Sequence, residues 1–370
     1  MRAMRKYLFF NAEIIIYVVH NFLRFLKSFL FLRGSEKVGI IVFKKLGDTV
    51  FVIPAIKHLI EIYKKENIVV FCYDLSLPIL KETLDINLVP INEDEFWLKG
   101  RIASFKVRKK IAGFRFKKIY DLTCQVRSAS AILGMKSETY GHNDYYCSGV
   151  YDNFVNPLHL RSLIDRFLYI ADPFNNKIPF DWEKEFPVLL QNDKPILIHP
   201  FAGWKAKEWN LKKFITLYEL LSKDHSVSII FHPDDMPHEI RNYLISEKIN
   251  FVETNTIDDL VNEIKNCSIL IGNDSGPIYI ARILGKPTFT IYGPTNPDFT
   301  MVQSIFHSKI IKNISCSPLY DSQYCFTFAG RKGCPSFECM HQLTVDEVYY
   351  EIIRFLELIQ FYINKKTAVI

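Results

Sequence analysis

The sequence predicts an α/β chain built from two Rossmann-like domains, and three observations carry that expectation. Short apolar runs stop at polar, glycine-bearing loops: Lys37–Phe43 before Lys44–Thr49, Ile196–His199 before Pro200–Asn210, and Ile269–Ile271 before Gly272–Pro277. Unbroken apolar strands of this length belong to parallel sheets covered on both faces. Each loop leads into a helical pattern: an apolar one through Tyr63, Leu211–Ser222, and one that Gly285-Lys286-Pro287 ends before a strand at Thr288–Tyr292. Finally, 370 residues suit two domains, and Asp172–Pro187, with Pro173, Pro179 and Pro187, reads as the linker. The expected division is a membrane-associating amphipathic helix over 1–36, an N-terminal domain over 37–172, a linker over 173–190, a C-terminal domain over 191–343 and a last helix over 344–370.

The chain is 49% hydrophobic and 23% charged, an ordinary globular balance with ample core. Its net charge of +6 is uneven: residues 1–37 hold seven Lys or Arg against Glu13 and Glu36, and residues 99–118 hold nine with no acid. Two basic surfaces on an acidic body suit an anionic membrane or an anionic acceptor, and neither carries a nucleic-acid motif.

Residues 7–32 are almost continuously hydrophobic, and the polar members Glu13, His20, Asn21, Arg24, Lys27 and Ser28 recur at helical spacing on one side. A wide apolar face beside a narrow basic one fits a helix lying in a membrane interface. A spanning anchor is the alternative by length, but Glu13 would be costly in hydrocarbon; an ordinary packed helix is the third reading. No small-residue cleavage site follows.

In the first strand–loop–helix unit Asp48 stands at the loop-to-helix junction, beside Gly47 and Thr49. The local pattern reads Asp48 as a helix cap, the alternative being a carboxylate facing a site at the sheet's C-terminal edge. Val69–Tyr73, Val89–Ile91 and Ile119–Leu122 are further strands, Ser128–Leu133 opens a helix, and 144–165 reads as irregular. In the basic run, Lys106, Arg108, Lys109 and Lys110 are a solvated helical face or a dock for acidic acceptor or lipid phosphates.

In the second half, the loop Pro200–Asn210 offers Gly203, Lys205 and Lys207 ahead of a helix, a setting that suits a diphosphate. The carboxylates after Ser226–Phe231, Glu239 among them, can hold a ribose hydroxyl. In Asn273-Asp274-Ser275-Gly276, Ser275 is the expected N-cap, Asp274 a hydroxyl acceptor, and the helix N-terminus an anion site. Phosphate plus polyol points to a sugar nucleotide. The loop 316–341 holds Cys316, Cys325, Cys334 and Cys339; four thiols can bind a structural zinc, although no C-x2-C pair is present. Val345–Ile363 is an amphipathic terminal helix.

From Lys37 onward these segments resemble glycosyltransferase family 9, the ADP-heptose:lipopolysaccharide heptosyltransferases. The resemblance rests on Leu46-Gly47-Asp48 running to Pro54-Ala55, Tyr120-Asp121-Leu122 through Arg127-Ser128 to Gly141, Lys207-Glu208-Trp209, Asn273–Gly276, Gly285-Lys286-Pro287 and the turn Tyr292–Thr295. It implies a GT-B fold, two Rossmann-like domains with parallel sheets facing each other across a cleft. It implies inverting, metal-independent transfer of heptose from ADP-heptose to a lipid-linked core acceptor, with no cofactor, on the cytoplasmic face of the bacterial inner membrane. Asp48 would be the general base, Lys207 would hold the diphosphate, Asp274 would bind donor-sugar hydroxyls, and Ser275 and Gly276 would lie near the phosphates. Tyr279 stands where the family often has His, and Phe201 where it has Gly. A sugar-nucleotide epimerase of related fold and a non-catalytic glycan- or nucleotide-binding relative are the alternatives.

Overall fold

The computed structural model of the chain describes residues 2–28, 36–142, 147–175, 180–318, 322–325, 334 and 336–367. The chain divides into two compact units, residues 1–180 and 181–370.

The sheet of the first unit contains β1 (Val38–Val42), β2 (Ile68–Tyr73) and β3 (Asn87–Ile91), then, past a two-residue β4 (Ile102–Ala103), β5 (Lys118–Asp121), β6 (Glu138–His142) and β7 (Asn153–Val155). Its order is β3-β2-β1-β5-β6-β7, all parallel. The second unit repeats the plan with β8 (Ile196–His199), β9 (Val227–Phe231), β10 (Phe251–Glu253), β11 (Ile269–Asn273), β12 (Thr288–Tyr292) and β13 (His307–Ile311), in the parallel order β10-β9-β8-β11-β12-β13. In each sheet the order reverses beside the first strand, between β1 and β5 and between β8 and β11. Loops leaving the C-terminal ends of those strands diverge and leave a crevice.

Burial explains the apolar runs. β1, β2, β8, β11 and β12 are buried at every position. In the second unit Phe214, Leu217 and Leu221 of the helix Leu211–Leu221, together with Val348, Ile352 and Phe355 of the terminal helix Val345–Thr367, pack with Ile229, Phe289 and Ile291. Each such side chain contributes about 1.5–3 kcal/mol on leaving water.

Three expectations change. The helix expected to run unbroken to Tyr63 is two, α2 (Leu46–Val50) and α3 (Ile53–Tyr63). Pro54 sits in the first turn of α3, where its missing N–H costs nothing, and cannot continue α2. The N-cap of α2 is Lys45, so Asp48 caps nothing. Within the stretch read as irregular lie β7 and the helix starting at Leu163, while residues 144–146 are outside the described residues.

The N-terminal helix spans Arg2–Ser28, and Met1 and residues 29–35 of the expected segment lie outside the described residues. Its polar strip faces its own unit. His20 Nδ1 accepts the Gly134 N–H at 2.9 Å, Arg24 pairs with Asp152 at 2.5 Å, and the Ser148 hydroxyl donates to Glu13 at 3.2 Å. Ile14, Ile15, Val18, Val19, Phe22, Phe25 and Leu26 are left exposed. Among the described residues no helix is long and apolar enough to cross a membrane.

Gly285 fixes the join between a helix and β12. Its φ is +70°, and a Cβ there would stand 2.3 Å from the Pro187 carbonyl oxygen. A Cβ on Gly203 would meet nothing within 4 Å. Gly285→Ala therefore lowers stability by about 2 kcal/mol in urea unfolding, whereas Gly203→Ala changes it by less than about 0.5 kcal/mol.

Candidate functional site

At the reversal point of the second sheet, Gly272 of β11 is in register with His199 of β8, so the loops after both strands leave side by side. Asn273 joins them. Its Oδ1 accepts the Trp209 N–H at 2.9 Å and its Nδ2 donates to the Pro200 carbonyl at 2.7 Å. Trp209 is buried and its indole N–H donates to the Leu343 carbonyl at 2.9 Å, which holds the 200–210 loop down.

This frame brings Lys207 to Asp274. Lys207 Nζ lies 2.6 Å from Asp274 Oδ2 and 3.2 Å from the Asp274 carbonyl oxygen, and 4.8 Å from the centre of the Trp204 ring. The Lys207 side chain is 16% exposed and that of Asp274 1%. Thr295 Oγ1 donates to Oδ2 at 2.6 Å, and the Tyr279 hydroxyl donates to Oδ1. Burial by itself would raise the Asp274 pKa; the charge of Lys207 and the three side-chain hydrogen bonds outweigh it and hold the carboxyl below its ordinary value. Burial, then the charge of Asp274, pushes Tyr279 well above the usual phenol range, so it stays a donor. Below it, the buried guanidinium of Arg282 lies 5.5 Å from the Tyr279 ring centre and donates to Thr290 Oγ1 and the Thr300 carbonyl, both at 2.8 Å.

The helix Gly276–Ile283 starts at this cluster. Ser275 occupies the N-cap position but makes no side-chain cap hydrogen bond, and its hydroxyl oxygen is buried with no partner. Free N–H groups, a positive helix end and a nearby lysine together can hold an anion.

The sequence-predicted residues sort as follows. Lys207, Asp274, Ser275, Gly276 and Tyr279 come together. Asp274, expected to take sugar hydroxyls, has both carboxylate oxygens engaged by its own chain and almost no exposed surface. Gly203 is exposed in the same loop. Glu239 is exposed in the first turn of the helix His238–Ser246 and makes no hydrogen bond to the cluster. In the first unit, Asp48 is exposed at the reversal point after β1 with no side-chain hydrogen bond among the described residues. Gly47 precedes it, half-buried. Thr49 is buried and structural, its hydroxyl 2.9 Å from Ser76 Oγ and 3.1 Å from the Lys45 carbonyl oxygen.

In the basic run Arg108 donates to the Ser130 and Leu133 carbonyls, Lys106 pairs with Glu95 at 3.1 Å and Lys110 donates to the Pro90 carbonyl at 2.7 Å, so only Lys109 of the four keeps its charge uncommitted. The four late cysteines converge on one small apolar cavity with Gly293 and Pro294. Among the described residues, however, no group of three or more His, Cys, Asp or Glu is arranged to hold a metal ion. Burial and then the neighbouring cysteines push the Cys339 thiol up to about 11.

Thr295 and Arg282 escaped the sequence reading. Thr295 follows β12, the neighbour of β11, so a hydroxyl at that strand's end was the available signal. Arg282 is the single cation in the otherwise apolar helix Gly276–Ile283.

His199 and His307 are buried, and burial holds both neutral, His199 down to about 4. The unfolded chain takes up those protons near the ordinary value of 6.5, so stability is full above that pH and falls as pH drops below it. Chemical denaturation between pH 7 and 4 shows this fall as up to about 1.4 kcal/mol per pH unit per histidine, and a shallower slope in His199→Asn.

Residues 171–326 match the model of glycosyltransferase family 9 (heptosyltransferase). Lipooligosaccharide heptosyltransferase 2 of Campylobacter jejuni is 25% identical over 317 residues, 82% of this chain and 93% of the relative. Among solved structures, the glycosyl transferase family 9 protein of Veillonella parvula aligns with a TM-score of 0.68 and 15% identity over 90% of this chain and 99% of its own. The E. coli ADP-heptose lps heptosyltransferase II aligns with a TM-score of 0.63 and 18% identity over 87% and 99%. Both likenesses show the GT-B fold.

Proposed function

Because the chain belongs to glycosyltransferase family 9, and so is a glycosyltransferase, we propose that it moves heptose from ADP-heptose to a lipid-linked lipopolysaccharide core acceptor, with inversion and without a catalytic metal. The observation that carries the donor assignment is Lys207, anchored by Asp274 beside a helix N-terminus whose Ser275 hydroxyl is buried and unpartnered. The names of the relatives supply the heptosyl group and the acceptor class.

In this reading Lys207, the Ser275 hydroxyl and the first N–H groups of the helix Gly276–Ile283 bind the donor diphosphate. The bond from the anomeric carbon to the diphosphate oxygen breaks with its electron pair leaving on ADP, and these groups neutralise that charge without a metal. Asp48 takes the proton of the acceptor hydroxyl as its oxygen forms the new bond on the opposite face of the sugar. A carboxylate without an internal partner is suited to that role, and one engaged as a cap would not be. Asp274 acts as a positioning residue that holds Lys207 rather than as a ligand of the sugar. In this reading the protein works at the inner membrane's cytoplasmic face, and the exposed apolar side of the N-terminal helix supports peripheral attachment there.

Titration of the purified protein with ADP, UDP, GDP and CMP shows ADP bound preferentially, and Lys207→Ala weakens that binding about 10- to 100-fold. Preference for another nucleotide replaces the donor, and binding to none contradicts the reading. Asp48→Asn lowers kcat by about 10²- to 10⁴-fold with the ADP affinity unchanged; a parallel loss of affinity assigns Asp48 to structure instead.

A further inference from the structure

Between β3 and the helix Phe105–Ala112 the chain makes a short hairpin that the catalytic reading does not use. Phe96 pairs with Ala103 and Trp97 with Ile102, both antiparallel, and Phe96 and Ala103 are buried. The tip is Leu98-Lys99-Gly100. All three residues have left-handed backbones, with φ of 52° and 56° at Leu98 and Lys99 and 80° at Gly100. Left-handed conformations at a leucine and a lysine are uncommon, and here both of those residues are exposed while Gly100 is buried. Trp97 is 59% exposed, Leu98 68% and, at the start of the following helix, Phe105 72%.

The charges around these three are cationic. Lys99, Arg101 and Lys109 are exposed, with no ion pair among the described residues. Lys106 is matched by Glu95, and Glu93 by Arg127 at 3.3 Å. Asp94 is the one exposed acid of the neighbouring turn Glu93–Glu95 with no such cation.

We propose that the Trp97–Arg101 hairpin, with Phe105 and Lys109, docks on an anionic lipid surface, the aromatic and leucine side chains entering the interface and the cations meeting lipid phosphates. An indole, a phenyl ring and a leucine exposed on one basic element match that interface in both polarity and charge. A soluble anionic glycan would engage the cations but leave Leu98 and Phe105 in water. The element also adjoins the N-terminal helix through one turn: Arg108 of the following helix donates to the Leu133 carbonyl, and Leu23 packs where a side chain on Gly134 would stand. The inference rests on the lipid-linked acceptor reading for its place in the reaction, not on the identity of the donor.

The test follows tryptophan emission of the full chain as vesicles are added, of phosphatidylcholine alone or mixed with phosphatidylglycerol. Trp182 and Trp209 are buried and Trp204 half-buried, so Trp97 is the indole whose surroundings change on docking. A blue shift appears with the anionic vesicles, weakens with salt and disappears in Trp97→Phe. Replacing Lys99, Arg101 and Lys109 by Gln raises the lipid concentration at half-shift at least about tenfold. Equal shifts in Trp97→Phe, an unchanged midpoint in the charge variant, or the same shift with a lipid-free anionic glycan overturns the proposal. All the substitutions are at exposed positions, and thermal unfolding of each variant checks its fold. ADP affinity on the same preparations reports separately on the donor reading.

Discussion

The ion pair between Lys207 and Asp274 ties together the two loops from which the candidate donor site is made. Asp274 is buried, and an unpaired carboxylate there would be costly; the pair is tolerable because every oxygen has a donor, from Lys207, Thr295 or Tyr279. The consequence for Lys207 is orientation. A flexible side chain is fixed between a carboxylate and the Trp204 ring, close to the N-terminus of the helix Gly276–Ile283, so less conformational freedom is lost when an anion arrives.

The repeated sheet order explains why this site stands where it does. Both units reverse their strand order beside the first strand, and the candidate site residues stand in loops that leave from the strands at those points. After β1 comes Asp48, exposed in the first turn of a five-residue helix whose N-cap position is Lys45; after β11 comes Ser275, an N-cap residue that does not cap. Each departs from the residue's usual helix-end role. Such departures mark positions where a side chain answers to a ligand rather than to its own backbone.

The strands buried on both faces were legible because their apolar runs admit no other environment. The glycine-bearing loops were legible because residue type and order are local. What the sequence alone could not reveal depends on partners far away in the chain. Asp48 looked like a cap because a helix start and an acid were adjacent, while the helix in fact begins at Leu46 and leaves Asp48 inside its first turn. The polar strip of the N-terminal helix read as the narrow basic face of an interfacial helix, yet Gly134, Ser148 and Asp152 supply partners for it from more than a hundred residues away. β7 has three residues, too few for a period to register. Asp274 was read as a sugar ligand because nothing local announces that Thr295 and Lys207 will occupy it.

A double-mutant cycle on ADP affinity tests most directly whether Asp274 acts through Lys207. Lys207→Ala, Asp274→Asn and the double variant are compared by calorimetric titration, each first shown to be folded. The account predicts that the second substitution adds little to the first, so the coupling energy approaches the effect of Lys207→Ala alone, about 1.5–3 kcal/mol. Additive losses would contradict it, because Asp274 would then be contributing to the donor site independently of the lysine it holds.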